Sequence, residues 1–441
     1  MRKTKNPAAK VLWIGHRGED SKIASKIGNL AGVICCDDSA ALHGLPDSIP
    51  IHSVERLTGK RKIWTSSDTP DLSVQFLRKL TDRHAQSSAL LVLPYKATKA
   101  IQAQVESIRS PRLELLAADA KLVAELDNKL YQRELFVSWG IPTPNFSTVK
   151  SDDALKHRLQ ALLRHQPGVV QPASGSLGKG VRLLRSPMDA EVWLSQHSEL
   201  RQFLVSDFVP GPALNTTAVV QPDRIHISQP SVQILGSALG LREKDQFLFC
   251  GNDFASAARL APAQLESLEK SVERLGKGLR GLGYRGIFGA DWVLSPERGP
   301  TLIEVNPRLQ GSTALLTALE EREGHPLTIR EHLRAFCPDS VTEQPQQEHK
   351  VPPLRGSQVL VYTGSEDLAR PAAAQNAPLG SEWLQRVQGL PLKGVTMESG
   401  ALLGRIVAEG PALDAEMSAV KTEYLTLMAH LNRQFECQSS G

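Results

Sequence analysis

The stretch 289-GADWVLSPERGPTLIEVNPRLQGST-313 decides how this chain reads. Its two apolar runs, GIFGADWVL (286–294) and TLIEVN (301–306), are joined by a turn around Ser295–Pro300, which predicts a β-hairpin. Glu304 and Asn306 stand two apart on the second strand, so they share one face, and an antiparallel partner sets Asp291 beside them. Two carboxylates and an amide oxygen on one sheet face are oxygen ligands suited to Mg²⁺, with Mn²⁺ as an alternative; Mg²⁺ keeps its remaining positions for water and phosphate. Arg308 stays in the same phase if the extended run continues through Pro307. A guanidinium there can hold phosphoryl or carboxylate oxygens. The competing reading is a hairpin with a solvated polar face, and the apolar runs around these residues argue against it.

Upstream, 169-VVQPASGSLGKGV-181 reads as a strand running into a loop with Gly175, Gly178 and Gly180, and with Lys179 between the last two. Small residues let backbone N–H groups approach a phosphate, and a lysine adds charge. Earlier still, residues 110–140 carry a helical pattern that Gly140 ends, and GIPTP (140–144) begins an extended segment. Lys129 lies within that pattern. A lone lysine on a helix ordinarily reads as a solvated charge; only its order ahead of the Gly-rich loop and the hairpin gives it another meaning.

Lys129, GIPTP, VVQPASGSLGKGV, FLVSDFVPG, FGADWVL and LIEVNPRLQGST, in that order, resemble the ATP-grasp superfamily over roughly residues 115–320. The resemblance implies two α+β subdomains closing on ATP, with a smaller domain before them. It implies that Lys129 reaches the ATP phosphates and that Ser174, Gly175, Ser176, Gly178, Lys179 and Gly180 belong to the loop over them. Asp207, Phe208 and Val209 match the hinge that touches the adenine, mainly by backbone groups. Asp291, Glu304 and Asn306 match the ligands of Mg²⁺, normally two ions, and Arg308 matches the arginine near the reacting phosphoryl group. Arg308 and Lys129 are thereby the expected catalytic residues.

Two departures stand out. Gln171 replaces a second ATP lysine: it can hydrogen-bond the adenine or a phosphate but brings no charge. At the hinge, Ser206 and Ala213 stand where glutamates are usual, which leaves Asn215 as a candidate for the ribose. The chain also resembles the peptide-ligase branch typified by the pheganomycin-type enzymes, through its short leading domain, the strand ending in Gln171, the Gly251–Asn252–Asp253 segment and a small terminal domain. Asn252 and Asp253 read either as facing a substrate or as a simple turn. Arg242 and Lys244 read either as holding a substrate carboxylate or as a solvated loop.

The expected architecture is α/β and α+β. Residues 1–110 form a Rossmann-like α/β domain, in which short apolar runs (VLWIGH, GVICCD, ALLVLPY) alternate with helical segments as in a parallel sheet. The Gly15–Gly18 turn lacks a full dinucleotide fingerprint. Residues 111–337 form the two-subdomain ATP-grasp unit, with a nucleotide lid at about 145–208. The Pro- and Gln-rich 338–357 read as a linker, and 358–441 as a small α+β domain.

Composition sets the outer bounds. The 441 residues carry a net charge of +4, with 41% hydrophobic and 22% charged residues, which gives no reason to invoke nucleic acid. No apolar run approaches the roughly 20 residues of a membrane span, and the apolar run near the start is too short for a signal-peptide core. The five cysteines show no CxxC pair, which fits reduced thiols in a cytoplasmic protein. The motifs of serine, metallo- or cysteine hydrolases are missing, and acyl activation by phosphoryl transfer needs none of them. The expected activity is an ATP-dependent carboxylate–amine ligase, acting on amino acids or peptides through an acyl phosphate, with homodimerisation expected from the superfamily. The alternatives are another acyl-phosphate or kinase reaction, or a nucleotide-binding regulator without catalysis.

Overall fold

The computed structural model describes residues 9–65, 68, 74–84, 88–150, 159, 161, 163–173, 175, 178, 180–196, 202–241, 245–338, 352–364 and 385–439. Its amino-terminal unit is a five-stranded sheet ordered Ile51–Ser53, Asn29–Asp37, Lys10–Arg17, Leu90–Pro94, Leu113–Leu115. Every pairing in it is parallel. Parallel strands covered on both faces read as continuous apolar runs, and successive residues here divide between two cores. Val11, Trp13, Val33 and Leu91 face one side, while Leu12, Ile14, Ile34 and Leu90 face the other. The first of these cores also takes in Ile287, Leu309, Ile329 and Leu333, so this face of the sheet is buried against the body of the molecule. The strand order reverses between Lys10–Arg17 and Leu90–Pro94, and a crevice at the carboxyl ends of strands around such a point is where α/β sheets bind ligands.

A second, antiparallel sheet runs Phe146–Lys150, Gln202–Asp207, Gly168–Pro172, Arg182–Leu184. A small core that includes Val170, Trp193, Phe203 and Val205 supports it. Within the expected lid, residues 151–158, 160 and 162 lie outside the described residues.

The third sheet has nine strands. Its path runs Gly299–Asn306, Gly286–Ser295, Ala213–Val220, Ser231–Leu235, Phe249–Asp253, Ser357–Tyr362, Leu402–Ala408, Val387–Gln388, and Ile225–Ile227 pairs with Ala213–Val220. The carboxy-terminal α+β unit therefore continues the main sheet: Ser357–Tyr362 adds to Phe249–Asp253 in antiparallel register. The approach is close enough that a Cβ on Gly251, at φ +142, would lie 2.0 Å from the Gln358 carbonyl oxygen. Of the segment read as a linker, 339–351 lie outside the described residues. Leu354 beyond them is fully buried, and its N–H donates to Gln229 Oε1 at 2.7 Å.

The helical pattern at 110–140 resolves into a strand, Leu113–Leu115, and two helices, Ala120–Leu126 and Lys129–Ser138. Asn128 makes the break: its Oδ1 accepts from the N–H groups of Leu130 and Tyr131, an N-cap that starts a new helix at Lys129. The Lys129 N–H in turn donates to the Ala173 carbonyl at 2.9 Å, tying the helix start to the end of the Gly168–Pro172 strand.

Candidate nucleotide and metal site

A cavity of about 490 Å³ opens where the three sheets meet. The hairpin enters it with Asp291 paired directly to Glu304 across the strands, followed by a bulge between Asp291 and Trp292. Glu304 Oε2 receives Lys129 Nζ at 2.7 Å, so the helix that Asn128 starts delivers its first lysine onto the second strand of the hairpin. Asp291 is held on three sides: Oδ1 accepts from Asn215 at 2.8 Å and Gln233 at 2.7 Å, and Oδ2 accepts from Asn306 at 3.0 Å. Burial pushes its carboxyl up to about 6, and the neighbouring Glu304 charge adds to the rise.

Arg308 closes the row. Its Nη2 donates to Asn306 Oδ1 at 2.9 Å and its Nη1 to Tyr95 Oη at 2.9 Å, with the guanidinium 5.4 Å from the Tyr95 ring centroid. Gln310 fixes the turn behind it by donating to the Arg308 carbonyl at 2.7 Å. Gly289 is required for this packing, since a Cβ there would meet the Gln310 side chain at 2.1 Å.

Lys129, Gln171, Gly178, Asp207, Phe208, Val209, Asn215, Asp291, Glu304, Asn306 and Arg308 all line the one cavity. Gln171 is buried on the Gly168–Pro172 strand opposite Leu204. Gly178 lies at φ +74 against Phe247, and Gly180, at φ +79, rests on Pro172. Gly175 is described but does not line the cavity, and Ser174, Ser176 and Lys179 lie outside the described residues, as do Arg242 and Lys244. At the hinge the N–H groups of Asp207 and Phe208 are already bonded, to the carbonyls of Asn145 and Pro167. Asn215, read from sequence as a candidate ribose contact, lines the cavity and directs its amide N–H to Asp291. Asn252 lines the cavity. Asp253 does not: it caps the short helix after it and accepts from Ser256, Ala412 and Leu413, which is the turn reading.

Several lining residues carried no sequence signal of their own. His16 and Tyr95 stand at the reversal point of the parallel sheet, and neither His16 ring nitrogen has a partner. Burial lowers the imidazole to about 4, with Arg308 and Arg17 adding to the effect, so His16 is neutral near pH 7. Arg17 donates to Asp20 and to the Gly311 carbonyl, both at 2.8 Å. The Ser312 hydroxyl, buried beside the cavity, is also unpartnered. The strand-end rule for parallel sheets points to His16, Arg17, Asp37 and Tyr95 once the runs VLWIGH, GVICCD and ALLVLPY are read as strands. Nothing in the sequence marks Gln233.

The donor set fits a hard divalent cation. Among the described residues no three of His, Cys, Asp and Glu gather as a metal group. Asp291 and Glu304 supply two carboxylates and Asn306 an amide oxygen, few enough ligands for Mg²⁺ to keep waters and phosphate oxygens. The cavity also fits a nucleotide: its lining includes Val169, Phe208, Val209, Leu235, Leu241 and Val293, an apolar wall for a base. Among the described residues no helix is long and apolar enough to cross a membrane.

Residues 126–312 match the ATP-grasp domain family. The chain is 28% identical over 200 residues to a D-alanine–D-alanine ligase of Gloeobacter violaceus, covering 44% of this chain and 62% of that protein. It is 23% identical over 224 residues to a butirosin acyl-carrier protein–L-glutamate ligase of Niallia circulans, covering 49% and 51%. An uncharacterized protein of Sinorhizobium fredii is 28% identical over 209 residues, which are 44% of this chain and 38% of that one. The chain thus spans about half the length of these relatives. Among solved structures, the biotin carboxylase of Campylobacter jejuni superposes with a TM-score of 0.61 at 12% identity, over 96% of this chain and 95% of that one. Carboxyaminoimidazole ribonucleotide synthase from Aspergillus clavatus, complexed with ATP, gives 0.60 at 15% identity over 97% and 99%. At such identities the likeness is one of fold.

Proposed function

We propose that this chain, whose residues 126–312 form an ATP-grasp domain, is an ATP-dependent ligase that joins a carboxylate to an amine and releases ADP and phosphate. One observation carries the reading: Lys129, Asp291, Glu304, Asn306 and Arg308, from sequence positions far apart, converge on one cavity. A nucleotide-binding protein without catalysis has no use for Arg308 at the end of that row.

In this reading the adenine lies against the apolar wall, with Val209 as the hinge N–H left to meet it. Lys129, the amides of the Gly-rich loop and Gln171 face the phosphates. Asp291, Glu304 and Asn306 hold Mg²⁺, which when bound neutralises phosphate charge. The substrate carboxylate lies toward Arg308, with the unpartnered His16 ring and Ser312 hydroxyl as further hydrogen-bonding groups. Its oxygen attacks the γ-phosphorus, forming an O–P bond as the bond to ADP breaks. The amine nitrogen then attacks the acyl carbon, forming the C–N bond, losing a proton and expelling phosphate. Positioning and electrostatics supply the acceleration, with Arg308 and Lys129 beside the charge that develops. Amino acids or peptides are the substrates this reading favours.

The test is incubation with Mg-ATP and panels of carboxylates and amines, with products read by mass spectrometry. ADP, phosphate and an amide formed only when both partners are present support the ligase. AMP as product refutes the acyl phosphate, and phosphorylated product without any amine marks a kinase instead.

A further inference from the structure

Asp37 ends the strand Asn29–Asp37, is 5% exposed, and lines the same cavity. Its place is fixed by the sheet: it pairs in register with Arg17, whose guanidinium reaches the Gly311 carbonyl three residues beyond Arg308. The side chain has one hydrogen-bonding partner, Trp64 Nε1, at 2.7 Å on Oδ1. The cation closest to it, Arg61, stands 3.9 Å away and is committed to Glu55 at 2.6 Å and to backbone carbonyls of Asp38, Gly389, Leu402 and Leu403. Arg17 is likewise committed to Asp20. Asp37 is thus paired only loosely, with a guanidinium shared among five other oxygens, and a buried carboxylate so placed gains from a ligand that brings a positive charge.

A bare metal ion does not suit it, because among the described residues no second and third His, Cys, Asp or Glu gather with it. Alongside the charged Arg17, Asp20 and Lys62, the cavity lining includes the apolar Ile63, Trp64, Leu360 and Leu402 and the ring of Tyr362. We propose that Asp37 is the recognition carboxylate for the acceptor amine, which enters as the α-ammonium of an amino acid or peptide whose apolar side chain lies against Trp64, Ile63 and Leu402. This rests on the ligase reading and deepens it. The held nitrogen must shed one proton before its lone pair can attack the acyl carbon and displace phosphate, and Asp37 is the base in contact with it. Burial lifts its carboxyl to about 7, Glu55 adding to the rise while Arg61, Trp64 and Arg17 oppose it. Glu19 and Arg405 face it across the small cleft behind.

The test is equilibrium binding of L-phenylalaninamide and of 3-phenylpropanamide, which is the same molecule without its ammonium. Wild-type protein is expected to bind the first at least about tenfold more tightly, and Asp37→Asn to erase the difference, as for a buried charge pair that loses one partner. Because the ligand pair discriminates within wild type, a misfolded variant does not rescue or spoil the result. Equal affinities in wild type overturn the proposal. Turnover separates it from the reading beneath it. Hydroxylamine traps an acyl phosphate without any other amine, so wild-type protein with Mg-ATP should form hydroxamate from its carboxylate, while Asp37→Asn should raise KM for the amine about tenfold. An unchanged amine KM refutes the role of Asp37 alone. No hydroxamate from wild type with any carboxylate refutes the ligase reading instead.

Discussion

Glu304 carries two loads at once: it faces Asp291 across the hairpin and it receives Lys129 at 2.7 Å. The lysine stands beside the carboxylate and compensates its charge. Glu304→Gln removes one of the proposed metal ligands and leaves the apolar wall intact. It should lower kcat by about 10²–10³-fold, the scale of losing one preorganised electrostatic group, while nucleotide binding, read by fluorescence or calorimetry, stays measurable. Wild-type turnover in this variant would refute the metal assignment. Glu320, far from the cavity, makes a different prediction. It is 2% exposed and accepts from the Thr328 N–H at 2.8 Å and from the Thr328 hydroxyl, and burial raises its carboxyl to about 8 despite those bonds. The folded protein therefore binds more protons than the unfolded chain between about pH 4.5 and 8, so this group's contribution falls as pH rises through that window. Glu320→Gln should flatten the decline, by about 1–3 kcal/mol between pH 5 and 9, in urea midpoints measured beside wild type. Parallel wild-type and variant profiles would show that Glu320 titrates normally.

The elements show what could be read from the chain and what could not. The hairpin was legible because its period-two spacing fixes which side chains share a face, whereas the pairing of Asp291 with Glu304 beside a bulge is set by the strands themselves. The parallel sheet was legible from runs such as VLWIGH, whose residues are apolar towards both cores. The split of 110–140 was not, because Asn128 is an ordinary residue in a helical pattern until its side chain turns back to cap Leu130 and Tyr131. Nor was the task of Asn215, since its partner Asp291 is brought to it by strand pairing 76 residues away. The Gly-rich loop sits between these cases. Gly178 has φ +74, and a Cβ would lie 2.1 Å from the Phe247 carbonyl oxygen, so the loop can rest on that segment only with glycine there. Gly178→Ala imposes about 1–2 kcal/mol for the left-handed backbone, plus the clash. If the loop covers the nucleotide in this position, KM for ATP should rise about tenfold or more in initial-rate assays. An unchanged KM would place the loop elsewhere during turnover.

At the scale of the molecule, the cavity belongs to no single segment. The parallel sheet brings His16, Arg17 and Tyr95; the segment 126–312 brings the hairpin; and the carboxy-terminal unit brings Tyr362, Thr363 and Leu402. That last unit is stitched in at several levels. It continues the main sheet through Gly251–Asp253, caps Asp253 with two N–H groups, and receives Arg61 on three of its carbonyls. Arg405 reaches back to Asp20 at 3.0 Å, and Thr396–Met397 pairs in parallel with Lys60–Arg61. Ending the chain at residue 338 would therefore expose the Phe249–Asp253 strand edge, an invitation to aggregation. It would also leave the buried Asp253, Arg61 and Asp20 side chains short of partners, each a loss of about 1–3 kcal/mol. Together these losses come to about 3–9 kcal/mol, a large share of a typical total stability of about 5–15 kcal/mol, before the exposed strand edge is counted. The shortened chain should appear in the insoluble fraction or melt without a cooperative transition in circular dichroism. A soluble, cooperatively folded and active 1–338 would mean that the carboxy-terminal unit is an appendage. The connections through Gly251, Asp253 and Arg61 argue that it is instead a wall of the site.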